Sequence, residues 1–416
     1  MNRPARPLLS LDEALERLAA GAAPHALRET ESISTFDALG RVLATEVHSA
    51  LDVPPADNTS MDGYALRVAD VPASGAVLRV AQRVPAGVVG RPLEPGTAAR
   101  IFTGAQVPPG ADAVVMQEQC EAVPGEGLGS VRVNTVPEPG QWIRRRGEDV
   151  RRDAVVLCPG MRLGPAELGL AASVGAASLT VVRRPRVAVF STGDELVMPG
   201  EPLKPGAIYN SNRFTLRGLL QAAGCEVGDF GIVPDRLDAT RDALCRAAQG
   251  HDLILTSGGV SVGEEDHLKP AVEAEGRLEH WQMAIKPGKP LAFGEVRRPD
   301  GSSALFVGLP GNPVSSFVTF LLCVAPLLRA MQGAGAGLPR ALPVVAGFDW
   351  SRPDKRREFL RVRLGTDGRL ELFPNQSSGV LTSAVWADGL LDNPPGQAIR
   401  TGDVVRYLPL ADLIAR

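Results

Sequence analysis

The sequence predicts a multi-domain α/β protein, and three patterns along the chain support this. From Arg186 onward, strand-like apolar runs alternate with helical patterns, as in a mostly parallel sheet with helices on both faces. Between residues 51 and 150, short β-type runs are separated by Pro and Gly, as in a small separate β domain. After a Gly/Ala linker at 333–337, strand-like runs dominate again. We therefore expect a three-layer α/β domain with an inserted β domain, an N-terminal helical region and a C-terminal β domain.

Composition excludes several classes of function. With 416 residues, 44% of them hydrophobic, the chain can form about three domain cores. A net charge of -3 and 5% aromatic residues provide neither the basic field nor the stacking surface of a nucleic-acid-binding protein. The five cysteines are scattered without a C-x-x-C pair, which indicates reduced, cytoplasmic usage and no zinc site. No stretch of ~18 uninterrupted apolar residues occurs, so we expect neither a signal peptide nor a membrane span.

The first part of the chain shows helix signals. Ser10 to Glu13 form a capping-box pattern, and leucines follow at helical spacing until Gly21. A second helix is predicted from Phe36 to Val47. We group residues 1–50 with residues 151–184 as a helical, linking domain.

The inserted β domain is predicted to span residues 51–150. Its strands are expected at Val77–Val84, Ala98–Thr103, Ala113–Gln117 and Val131–Val136.

Residues 185–332 are predicted to form the α/β domain, and residues 338–416 the C-terminal β domain. In the α/β domain, strands are expected at 187–190, 227–233, 252–256 and 305–307, and helices at 213–223, 239–248, 268–275 and 313–331. In the C-terminal domain, strands are expected at 344–348, 359–364, 370–373 and 404–408. The carboxyl ends of parallel strands meet at one edge of a sheet, where open α/β sheets bind their ligands.

A glycine-rich loop follows the strand 252–256. The glycines at 258, 259 and 263 permit positive φ and a close approach of a phosphate to backbone N–H groups. Ser261 adds a hydroxyl group, and the acidic run 264–266 adds hard oxygen ligands for Mg²⁺. An ordinary glycine turn before an acidic helix start explains the same residues equally well.

Two further polar segments follow strands of the same domain. The segment 191–195 contains hydroxyl and carboxylate groups, and acidic loops that share a crevice usually need a cation or a catalytic role. In the segment 308–315, Asn312 suits the N-cap and Pro313 the first position of a helix, so a purely structural role is as plausible as phosphate binding by the helix start. A simple turn is the alternative for the first segment.

Basic side chains occur in a stiff turn and on a predicted strand. Lys286 and Lys289 lie in a turn with two prolines, which suits the capture of a small oxyanion. Arg361 and Arg363 share one face of the strand 359–364, and a solvated face is the favoured interpretation there. The polar segment 57–65 is interpreted as an ordered loop of the β domain.

Taken together, the chain resembles the molybdopterin molybdenumtransferases, the family to which the C-terminal domain of gephyrin belongs. Seven motifs in the family's order carry the resemblance, from about residue 8 to the end: DNTSMDGYA, RIFTGAQVPPGADAVV, RRRGEDV, STGDEL, TSGGVSVGEED, IKPGKPLAFG and LPGNPVS. The resemblance implies an α/β domain of the molybdopterin-binding type. It also implies that molybdate is inserted into adenylylated molybdopterin with release of AMP and with a need for Mg²⁺.

The resemblance also implies roles for individual residues. Catalysis would involve Asp62, Asp149, Glu195 and Asp266. Substrate contacts would come from Thr103, Arg144, Thr192, Asp235, Gly258, Gly259, Ser261, Gly263, Pro310 and Pro313. Molybdate would bind Lys286, Lys289, Arg361 and Ser378, and the metal would bind Glu195, Glu264 and Asp266. Glu264 occupies a position where the family often has Asp or Glu, so the carboxylate is kept.

In this family the β domain reaches the α/β domain of a second subunit, so the resemblance implies a homodimer with a shared site. It also implies a cytoplasmic enzyme that receives its pterin from an adenylyltransferase partner. Two alternatives stay open at this point. One is a scaffold that binds pterin or a protein partner without turnover, and the other is a stand-alone adenylylating relative that shares only the α/β part.

Overall fold

We describe the protein from a computed structural model that covers residues 8–259 and 267–415. Within that part of the chain, three six-stranded sheets form, one in each of the regions predicted to be rich in strands. The predicted class, a multi-domain α/β protein with β-rich parts on both sides of the α/β region, is confirmed.

The N-terminal segment contains helix α1 (Leu11–Ala22), strand β1 (Thr30–Ser34) and strand β2 (Val47–His48). Helix α1 begins with the predicted capping box, in which the Ser10 hydroxyl oxygen accepts a hydrogen bond from the Glu13 N–H. The apolar face of α1 packs into the core of the α/β region rather than against the rest of the N-terminal segment.

The prediction of a helix at 36–47 is wrong. Only a 3₁₀ turn, Thr35–Asp37, forms at its start. The N–H groups of Gly40 and Leu43 donate instead to carbonyls of the segment 161–163, at 2.7 and 2.9 Å. These long-range bonds take the place of the i→i−4 bonds on which a helix depends.

The next region is an antiparallel-rich β structure. Its strands are β3 (Asn58–Thr59), β4 (Gly63–Leu66), β5 (Ala76–Val84), β6 (Thr97–Ile101), β7 (Ala113–Met116), β8 (Cys120–Val123), β9 (Ser130–Val133) and β10 (Ile143–Arg144). Six of them form a sheet in the order β7-β4-β6-β5-β9-β8. The four predicted strands correspond to β5, β6, β7 and β9. Strand β3 pairs with β10, which brings the loop after β3 next to the arginines that begin at 144.

After this sheet the chain returns to the N-terminal segment. It forms β11 (Val155–Leu157), helix α2 (Pro165–Ser173) and β12 (Ser178–Val182). Strand β11 pairs with β2, and β12 pairs with β1, both antiparallel. Both segments contribute to one hydrophobic core, to which Leu43 and Leu179 belong.

The α/β region begins at Arg186. Its elements are β13 (Arg186–Thr192), β14 (Leu196–Val197), β15 (Ile208–Tyr209), α3 (Ser211–Ala222), β16 (Glu226–Val233), α4 (Leu237–Gly250), β17 (Leu253–Ser257), α5 (Leu268–Glu275), β18 (Gly276–Gln282), β19 (Ile285–Lys286), β20 (Pro290–Arg297), β21 (Ser303–Leu309), α6 (Pro313–Thr319) and α7 (Ala325–Met331). A π-helical turn, Phe320–Val324, joins α6 to α7.

The sheet of this region has the strand order β16-β13-β17-β21-β20-β18. The first four strands are parallel, as predicted, and β20 and β18 extend the sheet antiparallel, which was not predicted. Alternate residues of each central strand enter separate cores, so that Val189 packs on one face and Phe190 on the other. Helices therefore cover both faces, and the three-layer prediction is confirmed.

One helical stretch among the described residues, Pro313–Met331, is long and apolar enough to cross a membrane. However, 83% of that stretch is buried inside the protein. It is the central core helix of the α/β region, packed against the sheet and α1.

The C-terminal part consists of β22 (Leu342–Ala346), β23 (Arg357–Leu364), β24 (Arg369–Leu372), α8 (Thr382–Trp386), β25 (Gly389–Asn393), β26 (Val404–Pro409) and α9 (Leu410–Ala415). The four predicted strands correspond to β22, β23, β24 and β26, whereas β25 was not predicted. Strand β19 of the α/β region pairs in parallel with β23 and so becomes part of this sheet. This pairing joins the lysine turn directly to the C-terminal part.

Candidate active site

A cavity of about 990 Å³ lies at the carboxyl ends of β13, β17 and β21. The lysine turn forms a second wall, and the segments 356 and 376–379 of the C-terminal part form a third. This is the edge at which open α/β sheets bind ligands. The cavity is large enough for a nucleotide-sized ligand.

The first wall contains the end of β13 and the loop after it. Thr192 and Glu195 both line the cavity. Asp194 faces away from it, and its carboxylate accepts a hydrogen bond from the Asp235 N–H at 3.2 Å. Asp235, a predicted substrate contact, is thus placed beside this loop and does not line the cavity.

The start of the glycine loop lies against this first wall. Gly258 and Gly259 have φ of 89° and 66°, in the left-handed region that favours glycine. A Cβ atom on Gly258 would lie 3.2 Å from the Thr192 carbonyl oxygen. The positive φ predicted for these two glycines is therefore present, and Gly258 lies close to the Thr192 backbone. Four other predicted site residues lie outside the described part of the chain: Ser261, Gly263, Glu264 and Asp266.

The loop before α6 forms the end of the same wall. Pro310 and Pro313 line the cavity, and Asn312 occupies the predicted N-cap position, although its side chain makes no capping bond. The Asn212 side-chain amide donates to the Gly311 carbonyl at 2.7 Å, which fixes the loop from one side. Asn312 itself is exposed and lines the cavity.

The two predicted lysines of the turn differ in their surroundings. The Lys286 Nζ atom lies 3.3 Å from Glu358 Oε1 and 3.5 Å from Asp354 Oδ2. Lys289 is exposed and makes no ion pair with any residue in the described ranges. Both line the cavity. One ammonium group is therefore anchored and the other is available to an incoming anion.

Arg356 also lines the cavity, and the sequence reasoning missed it. Its guanidinium donates to both carboxylate oxygens of Asp354, each at 2.9 Å. These hydrogen bonds hold the pKa of the Asp354 carboxyl well below its usual range. The only signal in the sequence was the spacing of an acid and an arginine two residues apart, which is common on protein surfaces.

The interpretation of Arg361 requires correction. Arg361 is 1% exposed and does not line the cavity. Its guanidinium donates to Ser383 Oγ and to the carbonyls of Phe359 and Ser377, and burial lowers the pKa of Arg361 to about 10. The solvated face expected from the sequence is therefore wrong for Arg361, whereas Arg363 of the same strand is exposed as expected. Arg361 supports the cavity wall from behind.

Ser378 lies in that wall, as the resemblance implied. Its carbonyl accepts a hydrogen bond from the Val314 N–H at 3.0 Å, which links the C-terminal part to the start of α6. Gln376 and Ser377 line the cavity beside it and were not predicted. This segment therefore adds a wall from the C-terminal part to the cavity.

The four site residues predicted in the β region, Asp62, Thr103, Arg144 and Asp149, do not line this cavity. The Asp62 carboxylate accepts hydrogen bonds from both the N–H and the hydroxyl group of Thr103, each at 2.7 Å. These bonds lower the pKa of Asp62. Arg144 lies on β10, opposite Asn58 of β3. Asp62, Thr103 and Arg144 are thus brought together at a second place, while Asp149 is exposed on the loop that follows.

The carboxylates that line the cavity determine whether it could hold a metal ion. Among the described residues, Glu195 is the single carboxylate that lines the cavity, and no group of three or more His, Cys, Asp or Glu side chains with metal-binding proximity occurs in the described ranges. Mg²⁺ is usually held in proteins by one or two carboxylates together with substrate phosphates, so Glu195 could supply one of its ligands.

Three family models match consecutive parts of the chain: the MoeA N-terminal region (domain I and II) at residues 9–175, the probable molybdopterin binding domain at 188–330, and the MoeA C-terminal region (domain IV) at 343–410.

Individual relatives cover most of the chain. The molybdopterin molybdenumtransferase of Haemophilus influenzae is 45% identical over 306 residues, which represent 73% of this chain and 74% of that protein. The molybdopterin molybdenumtransferase of Nostoc sp. is 38% identical over 395 residues, or 92% of this chain and 89% of that protein. The crystal structure of the molybdopterin biosynthesis moeA protein from Pyrococcus horikoshii OT3 is 29% identical, with a TM-score of 0.80 over 96% of this chain and 99% of that chain. The chain therefore belongs to the MoeA family, the molybdopterin molybdenumtransferases.

Proposed function

We propose that this enzyme of molybdenum cofactor biosynthesis takes molybdate and adenylylated molybdopterin as substrates, inserts molybdenum into the pterin and releases AMP. The observation that carries the proposal is the composition of the cavity at the ends of β13, β17 and β21. Backbone-rich loops at strand ends form one wall, and Lys286, Lys289 and Arg356 occupy the opposite walls. The first kind of wall suits phosphate groups, and the second suits a small oxyanion.

The proposed reaction breaks a phosphoanhydride-type linkage, for which catalysis consists mainly of positioning and charge neutralisation. We assign the nucleotide-pterin phosphates to Thr192, Gly258, Gly259 and the 310–313 loop. Ser261 and Gly263 of the glycine loop join this set by their motif. The oxyanion is assigned to Lys286, Lys289 and Ser378, and Arg356 replaces Arg361 in that role because only Arg356 lines the cavity.

Mg²⁺ is part of the proposal. Glu195 would hold it together with Glu264 and Asp266, because carboxylate oxygens are its preferred protein ligands. The cation would supply positive charge that neutralises the phosphate oxygens. Glu195 supports this role by its place on the cavity wall.

We further propose that the enzyme is a homodimer with a shared site. Asp62, Thr103, Arg144 and Asp149 would reach the cavity of the second subunit, since none of them lines the cavity of its own chain. The adenylyltransferase donor, the cytoplasmic location and the four-part division at residues 50, 150, 184 and 332 are further parts of this proposal. The scattered cysteines favour a reducing compartment.

The test is AMP release by the purified protein. With adenylylated molybdopterin, Mg²⁺ and molybdate present together, AMP should appear, and omission of molybdate should prevent it. Glu195→Gln and Asp266→Asn should abolish the release while the circular dichroism spectrum and the Tm stay unchanged. Glu226→Gln serves as the control, because Glu226 is exposed at the opposite, amino end of β16.

Three results would contradict parts of the proposal. Full activity of both variants would reject the assignment of the acidic residues. Tight pterin binding without any AMP release would favour a scaffold. Adenylylation of the pterin from ATP without molybdate would favour the stand-alone adenylylating activity.

A further inference from the structure

A buried carboxylate lies directly behind the cavity wall that holds the lysine turn. Glu358 is 0% exposed, and it belongs to strand β23 of the C-terminal part. A buried ionised carboxylate is costly unless charges and hydrogen-bond donors compensate it. Its partners therefore reveal why it is there.

One oxygen of Glu358 is held by neutral donors. Oε2 accepts a hydrogen bond from the Trp350 indole N–H at 2.9 Å and another from the Asn393 side-chain amide at 3.4 Å. Asn393 is itself 1% exposed and is fixed by a second bond to the Gln397 carbonyl at 2.9 Å. The carboxylate thus has a single orientation.

The other oxygen faces the cavity wall. Oε1 accepts a hydrogen bond from Lys286 Nζ at 3.3 Å, and Lys286 stands opposite Glu358 in the parallel pairing of β19 with β23. The backbone on both sides is held too, because the Arg357 N–H donates to the Ala284 carbonyl at 2.9 Å. The position of the Lys286 ammonium group is therefore set by the C-terminal part and not by its own turn.

Lys289, three residues further along the same turn, makes no ion pair with a carboxylate of residues 8–259 or 267–415. It is exposed, whereas the Lys286 side chain is 40% exposed and held between Glu358 and Asp354. If both lysines served only to attract an anion, a buried carboxylate bound to one of them would reduce that attraction. The arrangement is understandable if the precise placement of one ammonium group matters more than its charge.

We propose that Glu358 is a positioning residue that fixes the Lys286 ammonium group where the molybdate oxyanion binds. This inference rests on the proposed function, since it assigns a supporting residue to the same site. Lys286 then orients the oxyanion, and Lys289 attracts it from solution. Glu358 itself does not touch the substrate, because it is fully buried behind the wall.

The test is the affinity of the full-length protein for molybdate, measured by titration calorimetry, together with the KM values for molybdate and for adenylylated molybdopterin. Glu358→Gln keeps the size of the side chain but removes its charge. Its amide also presents N–H groups either to Lys286 or to the donors Trp350 and Asn393. Molybdate affinity should fall roughly 10-fold, with a matching rise in the KM for molybdate and an unchanged KM for the pterin nucleotide.

A double-mutant cycle identifies the route of the effect. If Glu358 acts through Lys286, Glu358→Gln should add little to the effect of Lys286→Met, but it should add fully to the effect of Lys289→Met. Glu371→Gln is the matched control, since Glu371 is a half-exposed glutamate of the same sheet that pairs with Arg363. It should leave both KM values and the Tm unchanged.

If Glu358→Gln does not fold, Trp350→Phe takes its place, because that change removes one donor from the carboxylate and keeps its charge. A smaller loss of molybdate affinity in the same direction is then expected. Unchanged molybdate affinity in the folded variant, or full additivity with Lys286→Met, overturns the inference and leaves the proposed function intact. A wild-type protein that binds molybdate but releases no AMP rejects the proposed function, and the calorimetric comparison still decides the role of Glu358. A wild-type protein that does not bind molybdate overturns both.

Discussion

At the scale of single residues, the pairing of Asp354 with Arg356 determines how one basic group is presented to the cavity. The Arg356 guanidinium is held by both oxygens of Asp354 and also lies 3.5 Å from the Ile285 carbonyl. A guanidinium fixed in this way keeps its remaining N–H groups pointed in one direction. We expect the pair to contribute both to stability and to oxyanion binding.

The pH dependence of stability tests this pair. The hydrogen bonds from Arg356 hold the pKa of Asp354 below its usual value, and in the unfolded chain the pKa returns to about 3.9. A carboxyl group of this kind stabilises the folded state above its unfolded pKa, and the contribution is lost as the pH falls further. Asp354→Asn should therefore lower the free energy of unfolding by about 1–2 kcal/mol at pH 7 and at pH 5, with a smaller difference below about pH 4. Urea denaturation at pH 7, 5 and 3 measures this, and a difference at pH 3 as large as the difference at pH 7 would contradict it.

Five residues that the motifs singled out lie at one place in the structure. Thr192, Glu195, Gly258, Lys286 and Ser378 all line one cavity, although up to 186 positions separate them in the chain. Arg356, one residue before β23, was not predicted, whereas Arg361 within β23 was predicted as a site residue and is buried. Only the pairing of β23 with β19, between residues about 70 positions apart, decides which of them faces the cavity.

At the scale of elements, the lysine turn is shaped by a close contact that the sequence did not reveal. Gly288 has a φ of 104°, and a methyl group on it would overlap the hydroxyl group of Thr319, which is fully buried in α6. The turn can therefore approach α6 only with glycine at this position. The sequence predicted a stiff turn because of its prolines, whereas the close packing of the turn against α6 depends on Gly288.

Gly288→Ala should destabilise the fold and displace both lysines. The left-handed backbone alone costs about 1–2 kcal/mol, and the overlap with Thr319 adds about 1–3 kcal/mol. Gly301→Ala is the matched control, because Gly301 has a φ of 84° but nothing within 4 Å of its added methyl group, and it lies in the hairpin before β21, away from the cavity. The control should show the backbone cost only, with unchanged molybdate affinity. Equal destabilisation of the two variants in urea denaturation would show that the contact with Thr319 is unimportant.

Secondary structure followed local patterns except where long-range contacts replaced them. The capping box of α1 and the alternation of β13 to β21 were visible in the sequence and are present in the structure. The segment 36–47 has a helical pattern, yet its N–H groups bond to residues about 120 positions further along the chain. No local pattern carries that information.

At the scale of the whole molecule, two groups of predicted site residues lie at separate places in one chain. One group lines the cavity, and the other, which contains Asp62 and Thr103, lies at the end of the β sheet. A dimer in which each β sheet reaches the partner's cavity would bring the two groups together, and a twofold axis would create two such sites. The sequence implied this arrangement through its resemblance to the family, and a single chain does not contain it.

Complementation between two inactive variants tests the shared site. Asp62→Asn should remove the catalytic contribution of the β sheet, and Glu195→Gln should remove that of the cavity residues. In a mixed dimer of these two variants, one of the two sites combines an intact β sheet with an intact cavity. Random pairing of equal amounts should therefore restore about a quarter of the wild-type rate of AMP release. The two variants would be coexpressed with different affinity tags, so that mixed dimers can be purified and should reach about half of the wild-type rate. The control pairs Asp62→Asn with Thr103→Val, because both changes lie in the β sheet and no mixed dimer then contains an intact site. Each site would lie within one chain if the mixed dimers of Asp62→Asn and Glu195→Gln were as inactive as this control.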